Sequence, residues 1–151
     1  MRRALLAALA VLSCTPLRLR AADFPPAVAV ESMALELTHA EHGTLHVRLR
    51  VTNPAGVPGV ITGLRFELFL AGQRFATGVT ALAEPLPAGT PHLLEQRFAL
   101  ALQDRRDQGR GPAGAEAHLR GTVLVRFEGV DRGLPFVHRT WLEGAARLAA
   151  E

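Results

Sequence analysis

The residues able to do chemistry in this 151-residue chain are few: six histidines, one cysteine, two serines, and arginines alternating with carboxylates. His39, Glu41, His42 and His46 crowd around one turn, and His39 and His46 approach each other if that turn joins two paired strands. A specific zinc site needs three or four convergent ligands on rigid elements, and here two would come from a mobile turn. His92, His118 and His138 are spread over separate segments and read as solvent-facing. Nucleophilic catalysis needs a Ser or Cys beside an oriented base. Ser32 is the only serine beyond Cys14, and it does not sit in a strained G-x-S-x-G elbow. Glu67, Glu95 and Glu128 each have an Arg two positions away, the spacing of a solvated, charge-alternating strand face. No catalytic, cofactor-binding or metal-binding residue is assigned, and no cofactor is expected.

The start of the chain carries a different kind of chemistry. In "MRRALLAALAVLSC", Arg2 and Arg3 precede an uncharged apolar stretch from Ala4 to Leu12. That stretch is too short for a permanent span of roughly 20 residues and has the layout of an export signal. Val11-Leu12-Ser13-Cys14 resembles a bacterial lipobox, in which the cysteine is acylated and becomes the new N-terminus. An ordinary signal cut near Ala21-Ala22 is the alternative, and it would place Leu19 or Arg20 where a small residue is wanted. Cys14 is the only cysteine, so no intramolecular disulfide is available and the thiol reads as a tether. Thr15 in place of Asp favours the outer membrane over inner-membrane retention, by the same resemblance. The expected organisation is a lipoprotein signal (1–13), an extended tether (14–27), a folded domain (28–146) and a tail (147–151). The expected location is the periplasmic face of the outer membrane, with a soluble periplasmic or secreted form as the alternative.

Losing Arg2 and Arg3 lowers the formal net charge from +3 to +1, with 15 Arg against 14 acids. A nucleic-acid partner needs basic residues clustered on one face, and none is expected. Arg105, Arg106 and Arg110 share a loop with Asp104 and Asp107, so the mixed signs cancel most of its field. With 48% apolar residues, the chain can build a core.

The elements that position these residues alternate with period two. In "TLHVRLRVT", Leu45, Val47, Leu49 and Val51 point one way, and His46, Arg48, Arg50 and Thr52 the other. Met33, Leu35 and Leu37 mark an earlier strand, and "AEHG" forms the turn between, with Gly43 suited to a positive φ. "LRFELFL" turns through "AGQ" into "RFATGVT", and the proline-rich "AEPLPAGTPH" connects to "LLEQRFALAL". "HLRGTVLVRFE", a turn at "GVDRGLP", and "FVHRTWLEG" complete the set; "AARLAAE" adds a helical turn or frays. Phe69 lies on a polar face and Trp141 shares a face with Val137; either marks a partner surface or is buried under a loop, the commoner outcome. About seven half-buried strands and no long helix predict two sheets covering each other, with a small barrel as the alternative.

Asn53-Pro54 ends the cleanest strand. Pro54 cannot donate to a ladder, and the Asn53 amide can bond the backbone of the turn that follows. The wider pattern is "V-T-N-P", a Pro/Gly connection, then "G-L-R-F-E-L-F-L-A-G-Q-R-F-A-T-G". It resembles the late-embryogenesis-abundant group 2 family, also called the water-stress and hypersensitive-response (WHy) domain. Asn53 and Pro54 match the family's Asn-Pro-Asn, with Ala55 in place of its second Asn; Gly72 and Gly78 match its hairpin glycines. The resemblance implies an all-β immunoglobulin/fibronectin-III-like sandwich. It also implies a non-enzymatic role in desiccation or stress protection, by binding or shielding proteins or envelope components. Membrane contact through the acyl anchor and protein partners in the envelope follow from that reading. The alternatives are an envelope assembly module that adds a partner's edge strand and, more weakly, a metal-binding protein or enzyme using the His39–His46 region.

Overall fold

Alternation becomes strands wherever one face can be buried. The computed structural model describes residues 26–39, 42–101 and 114–143. Cys14, the tether as far as Pro25, Glu41, the Arg105–Arg106–Arg110 loop, Leu102 and the C-terminal "AARLAAE" lie outside the described residues. Within them are seven strands: β1 (Val28–His39), β2 (His42–Val51), β3 (Gly59–Leu70), β4 (Gln73–Leu86), β5 (His92–Ala101), β6 (Gly114–Phe127) and β7 (Val130–Glu143). They form a three-stranded sheet, β1-β2-β5, and a four-stranded sheet, β4-β3-β6-β7, with every pairing antiparallel. This is the predicted sandwich in its fibronectin-III arrangement.

The inward faces agree with the periodicity. Leu45, Leu49 and Val51 of β2 are fully buried, and Leu64, Phe66, Leu68 and Leu70 of β3 face them from the other sheet. Leu94, Phe98 and Leu100 of β5 and Leu119, Val123, Val125 and Phe127 of β6 complete the core. Each fully buried aliphatic contributes about 1.5–3 kcal/mol of transfer free energy. Phe66 and Phe98 join the sheets directly, with ring centroids 4.5 Å apart and planes tilted by 59°. Such a tilted pair is favourable beyond its area.

Several boundaries differ from the sequence reading. The expected connection "AEPLPAGTPH" is half strand: β4 runs to Leu86, with Pro85 inside it opposite Val60, and the connection is 87–91. The expected turn "GVDRGLP" is likewise absorbed into β7, with Pro135 opposite Thr122. Both prolines are tolerated because β4 and β7 are edge strands, where one side of the ladder asks for no N–H donor. The turn that does form between β6 and β7 is Glu128-Gly129, with φ of 47° and 83°. Gly43 is a strand residue paired between Leu37 and Leu100, because β2 already begins at His42.

Candidate functional site

The Asn53-Pro54 stretch lies where the chain leaves the three-stranded sheet for the four-stranded one. Asn53 is the one buried polar residue among the described residues. Its side-chain oxygen accepts from the Ala55 N–H at 2.7 Å, an Asx turn. Its amide nitrogen donates to the Val57 carbonyl at 2.9 Å and to the Leu86 and Pro87 carbonyls at 3.2 Å. Two N–H groups thus serve three carbonyls from two separate segments. The Thr52 N–H donates to the Ala27 carbonyl at 2.7 Å, closing the same corner. The turn-bonding half of this arrangement is legible in the sequence; the reach to the end of β4 is not, because Leu86 lies 33 residues away. Asn53 therefore clamps the β2–β3 crossover to the β4 terminus, a structural task.

The two motif glycines do different work. Ala71 and Gly72 form a two-residue hairpin turn with φ of 48° and 80°, the type I′ signature. Gly78 lies within β4 opposite Phe66, where an added Cβ would stand 2.2 Å from a ring carbon. Gly72 supplies a backbone conformation and Gly78 supplies room for the Phe66 ring.

The register brings only part of the histidine cluster together. In the β1–β2 register His39 stands opposite His42, while His46 stands opposite Ala34. His46 is therefore four positions along β2 from the residue facing His39, about 13 Å at strand rise. The expectation that His39 and His46 approach across the strands is corrected by this register. His46 instead has the Glu36 carboxylate 3.5 Å from Nε2. Among the described residues no three His, Cys, Asp or Glu side chains are grouped to hold a metal ion. Ser32 sits in the β1 ladder opposite Arg48, with no hydrogen bond to a base among the described residues.

Charges on both outer faces pair across strands rather than along them. On the three-stranded sheet Arg48 meets Glu95 at 2.5 Å and Arg50 is bonded to Glu31. On the four-stranded sheet Glu67 accepts from Arg120 at 2.7 Å and lies 3.7 Å from Arg74. Arg126 donates to both oxygens of Asp131, at 2.7 and 3.0 Å. These hydrogen bonds hold the Asp131 carboxyl below the usual aspartate range and raise Arg126 further. Exposed pairs of this kind contribute little net stability.

The outer face of the four-stranded sheet also carries exposed apolar side chains and cations without an ion-pair partner among the described residues. Register aligns Val79, Arg65, Thr122 and Pro135 in one row, and Thr77, Glu67, Arg120 and Val137 in the next. Together they line a shallow trough of about 500 Å³. Val79 is 81% exposed and Val137 67%, and Trp141 follows on the same face of β7 at 63%. Arg65 and Arg139 have no ion-pair partner among the described residues. The matching trough on the three-stranded sheet is lined by Ser32, His46, Arg48, Glu95 and Arg97 and is polar. Among the described residues no loop covers Phe69 or Trp141. Phe69 is half-buried by its cross-strand neighbours: the Arg120 guanidinium lies 4.8 Å from its ring centroid and the His118 ring 5.9 Å away. The Trp141 ring rests on Gly114, where a Cβ would come within 2.8 Å of its nitrogen.

The fold has solved counterparts. AT1g01470 from Arabidopsis thaliana superposes with a TM-score of 0.62 at 15% identity, over 77% of this chain and 80% of that one. A candidate late embryogenesis abundant (LEA) protein, At2g46140.1, gives 0.59 at 16% identity, over 80% and 72%. A protein from Archaeoglobus fulgidus gives 0.54 at 11% identity, over 76% and 97%. The sandwich is thus LEA-like in fold. No protein-family model matches the chain, and no curated protein matches its sequence.

Proposed function

We propose that the chain is a non-enzymatic, LEA-type protective protein, held by acyl chains on Cys14 at the periplasmic face of the outer membrane. It shields partly unfolded proteins or envelope components during drying or related stress. The LEA-like sandwich, with Asn53-Pro54 at its crossover, is the observation that carries this reading. The outer face of the four-stranded sheet supports it. Val79, Val137 and Trp141 remain exposed there beside Arg65 and Arg139, which have no ion-pair partner among the described residues, a surface suited to weak contact with apolar and anionic patches.

The test is to dry and rehydrate a desiccation-sensitive enzyme with the chain or with an equal mass of albumin. The expected result is more recovered activity with the chain, reduced by Val79→Ser, Val137→Ser and Trp141→Ser together. Recovery no better than with albumin would sink the proposal. A second reading, an envelope module that adds a partner's extended segment as a strand, is favoured by the open edge of β5.

A further inference from the structure

A sheet edge is a row of backbone donors and acceptors without partners, and folded proteins guard such edges with prolines, bulges and charges. Three of the four edges here are guarded. The pairing of β1 with β2 breaks register at Val30/Ser32 and Leu37/His39. β4 contains Pro85 and breaks register twice with β3. β7 contains Pro135. β5 has neither a proline nor a register break: from His92 to Ala101 it pairs with β2 residue for residue, its charges are confined to Glu95 and Arg97 on the outer face, and among the described residues no strand lies on its other side.

We propose that β5 is a self-pairing edge, on which a second copy of this chain docks antiparallel with Gln96 facing the partner's Gln96 across a twofold axis. The inference extends the strand-addition reading by naming its occupant, and is independent of the protective role.

Charge selects both occupant and register. Glu95 and Arg97 flank Gln96 on the outer face of the strand. In the twofold arrangement Glu95 stands opposite the partner's Arg97, and Arg97 opposite the partner's Glu95, so one interface repeats the opposite-charge pair twice. Arg97 has no ion-pair partner within its own chain among the described residues. Glu95 already accepts from Arg48, and its carboxylate has capacity for a second guanidinium. A slip of two residues in either direction brings Glu95 onto the partner's Glu95 or Arg97 onto the partner's Arg97, and like charges directly opposite are unfavourable. In the favoured register Leu93, 47% exposed, meets the partner's Ala99, and on the inner side Leu94 meets the partner's Phe98.

The opposing sheet leaves room for such a strand. Four strands lie over three, and the inward residues of β4, Ala76, Gly78, Thr80 and Leu82, are only half-covered, unlike those of β3. A strand added beside β5 lies beneath that row and completes its burial.

The experiment is sedimentation of the full chain across concentration, with circular dichroism and melting as fold controls. A reversible dimer is expected, and Arg97→Glu weakens it roughly tenfold by replacing two attractive pairs with two repulsive ones. Exchanging the charges with Glu95→Arg and Arg97→Glu together restores dimerisation. Register is read separately in a Cys14→Ser background. Gln96→Cys forms a disulfide-linked dimer on mild oxidation, since directly opposed residues lie about 5 Å apart. Ala99→Cys does not, because its two copies are about 20 Å apart. A chain that stays monomeric up to about 1 mM overturns the inference, as does a dimer indifferent to Arg97→Glu and uncross-linked through position 96. A monomer that instead binds an added extended peptide also overturns self-pairing, while leaving strand addition by another protein standing.

Discussion

Asn53 concentrates what a single side chain contributes to this fold. Its amide faces three carbonyls, so it acts chiefly as a donor, and no isosteric residue without N–H groups can replace it. Asn53→Ala is expected to cost about 2 kcal/mol in urea unfolding, by leaving buried carbonyls unsatisfied. Asn53→Asp should cost more at neutral pH, about 3–4 kcal/mol, because a carboxylate would face carbonyl oxygens in a buried corner. The sign with pH follows. Burial raises the introduced carboxyl's pKa in the folded state, so the deficit is present above that raised value and shrinks as pH falls through it. Equal stability of Asn53→Asp and Asn53→Ala across pH would refute the donor role. At this scale the sequence was legible where bonding is local: the Asx turn to Ala55 follows from Asn-Pro, whereas the clamp on Leu86 and Pro87 depends on two sheets meeting. The histidine cluster shows the converse. Nearness in sequence brought His39 and His46 together on paper, and the register set them about 13 Å apart.

At the scale of elements, alternation located every strand and misplaced several ends. Pro85 and Pro135 read as breakers because a proline inside a central ladder removes a hydrogen bond. On the edge strands β4 and β7 that penalty vanishes, and which strands are edges is decided by pairing order. Of the turns, the hairpin at "AGQ" was readable, and its geometry came from the structure. Ala71-Gly72 is a type I′ turn built with a suboptimal first residue, since Ala at φ 48° carries the left-handed penalty that Asn largely avoids. Ala71→Asn is therefore expected to raise the urea midpoint by about 0.5–1 kcal/mol of stability, and Ala71→Val to lower it. A destabilised Ala71→Asn variant would show that the turn is not type I′ in solution. Gly78 was matched as a hairpin glycine, and its task proved to be accommodating Phe66, a cross-strand partner 12 positions earlier in the chain.

At the scale of the whole molecule, the sandwich unites a structural core with two unlike outer faces, and the N-terminus bears on where those faces work. If Cys14 is the anchor, intact mass analysis of the chain extracted from bacterial envelopes will show an N-terminus at Cys14 carrying acyl chains. An unmodified chain beginning near Ala22 or beyond would remove the tether and leave a soluble exported domain. The sequence by itself determined the all-β class, the inward faces of the strands and a hairpin at "AGQ", because these rest on interactions between neighbours or residues two apart. Only the tertiary structure decided the order β1-β2-β5 and β4-β3-β6-β7, the clamp made by Asn53, the separation of the histidines and the unguarded edge of β5. Those depend on which distant strands share a ladder, and hydrophobic alternation is the same for every strand that buries one face.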